Sequence, residues 1–223
     1  MTKETVDFFK KEPEWVKCPK CKEPVSRLLN TGVCHVCQET LDDESMKAPE
    51  VKAVKEYTFD NFNENELNRV ALLKAQEFAA AGHSLYLWSP TVGNGKTHLA
   101  MAAANILKYM EKDYEYVQLD RLLIEIRSSW SNNVRRTEDQ IHQRLATVEY
   151  LIIDEIKDLT EFTMNTLYTI LTGREREGQF KIFITSNHSL ADISDVEKRV
   201  SDRILGMVHA DGKVELMDEG HRK

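Results

Sequence analysis

The 223-residue chain has no long apolar run, no secretion signal and no cysteine beyond residue 37. Its hydrophobic runs are as long as single strands, whereas a membrane-spanning helix needs roughly 20 consecutive apolar residues. The N-terminal sequence MTKETVDFFKKEPEW also has no apolar core of the kind found in signal peptides. We therefore expect a cytoplasmic protein that does not contact a membrane.

Excess positive charge is also missing. Lysine and arginine number 30 against 37 aspartate and glutamate residues, which gives a net charge of −7. Because non-specific binding to phosphates depends on excess basic residues, this charge argues against a protein that coats nucleic acid permanently, but not against a local basic track. Hydrophobic residues make up 41% of the chain and charged residues 30%, a balance that argues against wholesale disorder.

The four cysteines form two C-x₂-C pairs with twelve residues between the pairs: Cys18 and Cys21, then Cys34 and Cys37. In a chain without a signal sequence, this clustering indicates metal ligation rather than disulfides. The spacing is close to that of a four-cysteine zinc ribbon or knuckle. We predict a structural Zn²⁺ site, because four thiolates leave no open coordination position for catalysis.

Composition divides the chain into three parts. Residues 1–40 contain the cysteines and are predicted to form a small zinc-binding module. Residues 41–56, LDDESMKAPEVKAVKE, are polar, charged and without periodicity, which predicts a linker. Residues 57–223 are predicted to form one larger domain, long enough to build its own core.

Helix and strand signals alternate through this larger domain. Apolar runs predict strands at residues 84–90, 115–119, 149–155 and 181–187, with helical periodicity between them and a last helix at residues 196–208. Gly82 is predicted to end the first helix, and Asp120 and Thr137 to cap two later ones. Strands separated by helices need crossover connections, so we predict an α/β domain with a parallel sheet covered on both faces.

A phosphate-binding loop is predicted between the first strand and the next helix, where residues 90–97 read PTVGNGKT. Gly93 and Gly95 allow backbone N–H groups to turn toward phosphate oxygens. Lys96 can reach the β- and γ-phosphates, and the Thr97 hydroxyl can join the shell of Mg²⁺. Pro90 stands where the usual pattern has its first glycine, so the start of the loop must be built differently.

Two consecutive carboxylates, Asp154 and Glu155, follow the apolar residues 151–153. Open α/β sheets bind ligands at the carboxyl ends of their strands. Asp154 is therefore predicted to join the Mg²⁺ shell, and Glu155 to act as the general base that activates water. Asn187 ends the next apolar strand, which we expect beside the carboxylate strand, so that its amide would orient the attacking water. A polar residue in this position is also common in simple turns.

Arginines support two further predictions. Arg199 and Arg203 lie on the last predicted helix, and either could complete a neighbouring subunit's active site by neutralising charge on the γ-phosphate. Four others lie between the second strand and the carboxylate strand, with Trp130 among them: Arg121, Arg127, Arg135 and Arg136. Arginines together with an aromatic ring are typical of single-stranded DNA binding, although a solvated helix face has the same composition.

These motifs resemble those of AAA+ ATPases, and among them the bacterial and phage replicative-helicase loaders of the DnaC and DnaI type, with IstB-like transposition ATPases close by. The resemblance spans most of the chain, from residues 57–62 and 68–81 through the phosphate loop and the carboxylate strand to the strand that ends at Asn187. Asn94 and His98 match the loop of this group and its continuation. Residues 201–204, Ser-Asp-Arg-Ile, match its arginine-finger segment, which favours Arg203.

The resemblance implies a slow, partner-stimulated ATPase that uses ATP and Mg²⁺ and associates with copies of itself. It also implies binding to a hexameric DnaB-like helicase and placement of that helicase on single-stranded DNA during replication. Some DnaI-like loaders carry a zinc module, which implies helicase contact for residues 1–40, with DNA contact as the alternative. We expect no full C-terminal lid, and the small size is consistent with a phage origin.

Three other functions stay open on the sequence. They are an IstB-like transposition helper, an ATP-binding regulatory module with negligible hydrolysis, and a small-molecule kinase. The kinase is disfavoured by the predicted zinc module and by the paired carboxylates Asp154 and Glu155, because phosphate loops alone occur in many activities. Tyr57 and Phe59 are candidates for packing against adenine.

Overall fold

The computed structural model of the protein describes residues 16–17, 24–25, 57–130 and 136–217. The chain divides into two compact units, Met1–Ala53 and Val54–Lys223. In the first unit, strands β1 (Val16–Lys17) and β2 (Pro24–Val25) pair in antiparallel fashion. The four cysteines predicted to bind zinc lie outside the described residues, so the zinc module stays a prediction.

The described part of the second unit contains five strands and six α-helices, which alternate over most of its length. The strands are β3 (Leu85–Trp88), β4 (Tyr114–Gln118), β5 (Tyr150–Ile156), β6 (Ile182–Ser186) and β7 (Lys213–Glu215). The helices are α1 (Arg69–Ala81), α2 (Lys96–Tyr109), α3 (Leu119–Ser128), α4 (Glu138–Thr147), α5 (Glu161–Arg176) and α6 (Leu190–Met207). The predicted α/β class is confirmed.

The five strands form a single parallel sheet in the order β4–β5–β6–β3–β7. The central strands β5 and β6 are fully buried along residues 151–153 and 182–184, as expected for strands covered on both faces. β5 pairs with β6 as predicted, and β3 lies on the other side of β6. The three strands that carry the predicted nucleotide motifs are therefore neighbours, with their carboxyl ends at one edge.

Helices flank the sheet and supply the rest of the core. α1 packs against α2, and α5 packs against both α4 and α6. The alanines of α2 are buried and small, which allows this helix to approach the sheet closely. α1 ends as predicted at Gly82, whose φ of +75° is readily adopted only by glycine. Among the described helices, none combines the length and apolar character needed to cross a bilayer.

The predicted caps have different outcomes. Thr137 caps α4, since its hydroxyl accepts a hydrogen bond from the Gln140 N–H while the Gln140 side chain returns to the Thr137 N–H. The prediction for Asp120 is wrong, because α3 starts at Leu119 and the cap position is occupied by Gln118, two residues before Asp120. The Asp120 carboxylate lies 2.9 Å from the ammonium of Lys157 instead.

Two features of the C-terminal part were not predicted. Helix α6 starts at Leu190 rather than at residue 196, and it kinks at Glu197, where φ is −148° and ψ is 91°. Strand β7 adds an edge to the sheet beside β3. Only Val214 of its three residues is buried, so β7 is too short for a recognisable alternation.

Candidate nucleotide-binding site

A cavity of about 310 Å³ opens where the carboxyl ends of β5 and β6 meet the loop after β3. Its walls come from residues 61–63 together with Tyr57, from the loop residues 92–98, and from Glu155, Thr185 and Asn187. The predicted phosphate loop, carboxylate strand and Asn187 are thus brought to a single site. Open α/β sheets bind ligands at this edge.

Two glycines give the phosphate loop its shape. Gly93 and Gly95 have φ values of +78° and +100°, which side chains rarely allow. A Cβ atom at Gly95 would also lie 2.7 Å from the Phe62 ring. Pro90 is exposed and does not line the cavity, so the departure from the usual pattern lies on the solvent side of the loop.

The Lys96 side chain is buried and folded back onto its own loop. Its ammonium donates to three oxygens: the carbonyls of Ser89 (3.1 Å) and Thr91 (2.9 Å) and the side-chain amide of Asn94 (3.2 Å). Burial lowers the pKa of Lys96 to about 8, although the charges of Glu155 and Asp154 oppose that shift. These neutral acceptors are weaker partners for an ammonium than phosphate oxygens, so the loop fits a polyphosphate.

Asp154 is buried, and three hydroxyl groups donate to its carboxylate. Thr97 and Thr185 reach one oxygen at 3.3 and 2.6 Å, and Tyr116 reaches the other at 2.7 Å. Burial raises the pKa of Asp154, and the three hydroxyls counteract this by stabilising the charged form. Thr97 and Asp154 therefore lie side by side, as ligands of a shared Mg²⁺ must.

Glu155 has an unusual backbone at the end of β5. Its φ is +72°, and the pairing of β5 with β6 shifts register between Ile153 and Ile156. The Glu155 N–H donates to the Thr185 hydroxyl at 2.7 Å, which holds this conformation. Non-glycine residues with positive φ are costly and cluster at functional sites. The register shift turns the Glu155 side chain into the cavity, where Asn187 also lies.

Residues 57–63 cross the entrance of the phosphate loop. His98, at the start of α2, holds this segment through a 2.8 Å hydrogen bond between its Nε2 and the Thr58 carbonyl. The His98 ring also contacts Tyr57 and Phe62 edge to face, at 4.9 and 5.2 Å between ring centres. The rings of Tyr57, Phe62 and His98 line the cavity, whereas Phe59, the second adenine candidate named from the sequence, does not.

The two candidate finger arginines lie on α6 and do not line the cavity. Arg203 pairs with Glu175, and Arg199 pairs with Glu197 at the kink, at 2.9 Å. Both guanidinium groups lie over the Tyr168 ring, at 5.8 and 4.7 Å from its centre. Because Arg203 hydrogen-bonds the Tyr168 hydroxyl, the pKa of Tyr168 lies below its ordinary value.

The predicted DNA-contact residues form an aromatic and cationic group beside α3. The Phe162 ring lies 4.7 Å from the Arg127 guanidinium and 5.7 Å from the Trp130 ring. The Trp130 side chain remains largely exposed, and its indole N–H donates to Glu138 at 2.6 Å. Of the other predicted arginines, Arg121 is exposed on α3, and the Arg136 guanidinium lies 3.7 Å from the Glu125 carboxylate. Arg135 lies outside the described residues.

Four residues around the site were missed on the sequence: Tyr116, Thr185, Phe62 and Lys157. Thr185 immediately precedes Ser186 and Asn187, so its position beside the carboxylate strand was implied by the predicted strand pairing. The contact of Tyr116 could not be predicted from the sequence. Tyr116 of β4 is paired with Ile152 of β5, and its hydroxyl reaches diagonally to Asp154, two residues further along β5. Phe62 and Lys157 act through loop contacts that spacing does not specify.

The parallel sheet, the glycine loop with its lysine, and the acidic end of β5 define the class: the chain is an AAA+ ATPase domain. Within that class, residues 54–210 match the bacterial DnaA ATPase domain. The chain belongs to that family.

Comparison with individual proteins agrees with this family. The chromosomal replication initiator protein DnaA of Bartonella quintana (strain Toulouse) is 25% identical over 182 residues, covering 74% of this chain and 36% of that protein. A solved replication initiator DnaA bound to AMPPCP and single-stranded DNA has a TM-score of 0.61 and 23% identity, covering 74% of this chain and 50% of its own. The solved DnaC helicase loader has a TM-score of 0.61 and 19% identity, and the match covers 74% of this chain and 99% of the DnaC chain.

These similarities confirm the predicted AAA+ class, and the two solved structures share the fold. The chain spans about a third of the length of the curated relatives it matches. Within the described residues, no cluster of three or more histidine, cysteine or acidic side chains could hold a metal ion. The adjacent oxygens of Thr97 and Asp154 fit a Mg²⁺ that is bound together with nucleotide phosphates.

Proposed function

We propose that the chain is an ATP-hydrolysing helicase loader. In this proposal Lys96, Thr97 and Asp154 hold Mg²⁺-ATP, and Glu155 and Asn187 position the attacking water. Arg203 of a neighbouring copy completes the site. The bound Mg²⁺ would offset charge on the phosphate oxygens.

One observation carries the ATPase part of the proposal: the Thr97 hydroxyl, which lines the cavity together with Glu155, donates to the buried Asp154 carboxylate. The proposed magnesium ligand from the phosphate loop therefore contacts the one from β5, at a cavity that the candidate base lines. The neutral carbonyls around the Lys96 ammonium support nucleotide binding, because phosphates would replace them with charged acceptors.

The loader part rests on the resemblance of the motifs and on the shared fold. The DnaC helicase loader is matched over 99% of its own chain, so nearly all of its elements have a counterpart here. We propose a hexameric DnaB-like helicase as the partner and single-stranded DNA as the ligand of the group around Trp130 and Phe162. Turnover would be slow and stimulated by these partners.

Membership of the DnaA family, together with the solved DnaA bound to AMPPCP and single-stranded DNA, favours a second candidate function: nucleotide-dependent binding of this chain to single-stranded DNA without a helicase. Affinity capture of the intact chain distinguishes the two. The loader predicts capture of a DnaB-like helicase in the presence of ATP, with less in its absence. Capture of DNA but no helicase would favour the second candidate, and capture of a transposase would favour an IstB-like helper.

Hydrolysis is tested by Glu155→Gln, which keeps the shape of the side chain but removes the base. If hydrolysis is required, this variant binds ATP and fails to load helicase. Full loading by Glu155→Gln would instead support a regulatory module that uses ATP binding alone.

We also propose that Cys18, Cys21, Cys34 and Cys37 bind one structural Zn²⁺ and that this module contacts the helicase. Metal analysis of the purified full chain tests the first part, with Cys34→Ser/Cys37→Ser as the variant expected to lose the zinc. Zinc-free wild-type protein with reactive thiols would contradict it. Loss of helicase capture by the double variant, with ATP binding retained, would support the second part.

A further inference from the structure

The candidate water-positioning residue Asn187 lies in a very short loop. Strand β6 ends at Ser186 and the cap of helix α6 is Ser189, so only residues 187 and 188 lie between them. The Asn187 N–H donates to the Ile156 carbonyl at 3.0 Å, which extends the contact of β6 with β5 by one residue. The Asn187 side chain lines the cavity, so the position of its amide depends on how firmly this loop is held.

His188 holds the second residue of the loop through both its side chain and its backbone. Its Nε2 lies 2.6 Å from the Lys157 carbonyl, and because a carbonyl can only accept, this ring nitrogen carries the proton. The His188 carbonyl accepts from the Tyr86 hydroxyl at 2.7 Å, and its N–H donates to the Ser186 hydroxyl at 2.9 Å. His188 is thus connected to the loop after β5 on one side and to β3 on the other.

The hydrogen bond from the His188 ring ends close to the candidate base. Lys157 lies two residues after Glu155, and its ammonium is 3.2 Å from the Glu155 carboxylate. The pairing of β5 with β6 shifts register between Ile153 and Ile156, and such a shift locally disrupts the regular ladder. The bond from His188 to the Lys157 carbonyl therefore adds a link between the two chain segments beyond the point where their regular pairing is broken.

We propose that His188 is a positioning residue that fixes Asn187 relative to Glu155, because it ties the loop after β6 to the loop after β5. The inference rests on the ATPase function proposed above, in which Glu155 and Asn187 position the attacking water. His188 is not among the described residues that line the cavity, so it acts through Asn187 rather than on the nucleotide. A displacement of about 1 Å in such a group can lower a reaction rate by about a hundredfold.

Steady-state ATP hydrolysis by His188 variants tests the inference. His188→Ala should lower kcat by roughly three- to tenfold, less than a full displacement would, because the Asn187 N–H and the carbonyl of residue 188 keep their own hydrogen bonds. KM for ATP should stay within about twofold of the wild-type value, since the lost bond serves the chemical step. His188→Gln offers an amide N–H in place of the ring N–H and should recover most of the rate.

A double-mutant cycle with Asn187→Ala shows which residue His188 acts through. If His188 works by positioning Asn187, adding His188→Ala to Asn187→Ala should cost no further rate, whereas two independent effects would multiply. An undiminished loss in the Asn187→Ala background, or no recovery with His188→Gln, would overturn the inference.

Lys181 provides a matched control, because it links the same two strands at their opposite ends. Its ammonium pairs with the carboxylate of Glu149; Lys181 directly precedes β6, and Glu149 directly precedes β5. Lys181→Met removes this link away from the cavity and should leave kcat as in the wild type, while urea denaturation reports the stability of both variants. An equal fall of kcat in Lys181→Met would show that any weakened link between the strands slows the reaction, and the specific role of His188 would be wrong.

Failure of the proposed function gives a different result. If wild-type protein hydrolyses ATP no faster than Glu155→Gln, the ATPase proposal fails and the inference about His188 fails with it. If wild type exceeds Glu155→Gln while His188→Ala equals wild type, the ATPase proposal stands and only the role of His188 is rejected. If Asn187→Ala equals wild type, the inference is rejected together with the proposed role of Asn187.

Discussion

Lys96 and Arg174 are both buried basic residues, but their partners give them different roles. The Lys96 ammonium is held by carbonyls of the phosphate loop, which a ligand can replace. The Arg174 guanidinium donates to four carbonyls of the fold: those of Leu145, Val148, Glu149 and Lys181. The first arrangement is suited to ligand binding. In the second, the guanidinium connects the end of α4 to the starts of β5 and β6 through hydrogen bonds.

The lowered pKa of Lys96 predicts that nucleotide binding is coupled to proton uptake. With a pKa of about 8 in the free chain, Lys96 is largely charged at pH 7 and largely neutral above pH 9. Phosphates favour the charged form, so ATP affinity should fall as the pH rises through 8. Calorimetry of Mg²⁺-AMPPCP binding in buffers of different ionisation enthalpy should show uptake of about three quarters of a proton near pH 8.5.

The same titration near pH 6 is the internal control, because Lys96 is then already protonated and should take up nothing. Equal proton uptake at both pH values, or an affinity that does not change between them, would contradict the assignment of Lys96 as the phosphate ligand that titrates.

Substitution of Arg174 should affect stability rather than chemistry. Arg174→Met keeps most of the side-chain volume but removes the donor to the carbonyls of Leu145, Val148 and Glu149, whereas the Lys181 carbonyl still accepts from the Leu151 N–H. We expect the free energy of unfolding to fall by about 3–5 kcal/mol, because unpaired buried polar groups are costly. Urea denaturation followed by circular dichroism measures this change. Arg176→Met, an exposed position on the same helix, is the control and should change the value by less than about 0.5 kcal/mol.

At the scale of elements, the segment of residues 57–63 and the phosphate loop are fitted to each other. Phe62 fills the space in which a side chain at Gly95 would lie. Gly95→Ala should therefore lower stability by about 1–3 kcal/mol and weaken nucleotide binding, because it adds both backbone strain and a clash. Thermal denaturation and binding of a fluorescent ATP analogue measure the two effects.

Gly178 separates these two contributions. Its φ is +70°, close to the left-handed region used by Gly95, but a Cβ there meets nothing within 4 Å. Gly178→Ala should therefore show only the strain, about 1 kcal/mol. The double variant Phe62→Ala/Gly95→Ala should recover the part of the loss that comes from the clash. No recovery in that variant would show that the contact between the two elements is not what restricts residue 95.

The elements differ in how far the sequence could predict them. Strands β3, β5 and β6 were located because each is a buried apolar run, β4 because apolar residues such as Val117 lie between two helical segments, and α4 because Thr137 caps it. Strand β7 was missed because three residues carry no period. Its place depends on non-local hydrogen bonds: the Leu216 N–H donates to the Trp88 carbonyl, and the Asn94 side-chain amide donates to the Leu216 carbonyl. The kink of α6 at Glu197 was also missed, because the helix was predicted only from residue 196 and its first residues, 190–195, were not assigned to it.

The candidate site shows the same division. The sequence places Lys96 and Thr97 directly after one strand, and it places Asp154 and Glu155 at the end of another. Because the carboxyl ends of parallel strands lie at one edge of a sheet, the sequence predicted that these residues would lie close together. The contacts of Tyr116 and Lys157 depend on which strands and loops become neighbours, which spacing does not specify. The fold is therefore needed to find the groups that orient the predicted residues.

At the scale of the whole molecule, the position of Arg203 argues for assembly. The nucleotide cavity is lined by residues of the loop, of residues 57–63, and of the ends of β5 and β6, but not by Arg203 or Arg199. Arg203 instead pairs with Glu175 on the surface formed by α5 and α6. Because Arg203 lies outside the cavity lining, we propose that it acts on a γ-phosphate bound by another copy of the chain, in head-to-tail association.

Mixing two inactive variants tests this arrangement. Arg203→Ala retains Glu155 but offers no finger, and Glu155→Gln offers a finger but has no base, so each should hydrolyse ATP poorly alone. In an equal mixture, activity should return to about a quarter of the wild-type rate, because a quarter of head-to-tail interfaces then pair an intact Glu155 with an intact Arg203.

Arg199→Ala in place of Arg203→Ala tests the alternative finger. A mixture no more active than its separate components, measured at concentrations where sedimentation shows assembly, would rule out action between subunits. Arg203 would then act only through its ion pair with Glu175 and its contact with Tyr168.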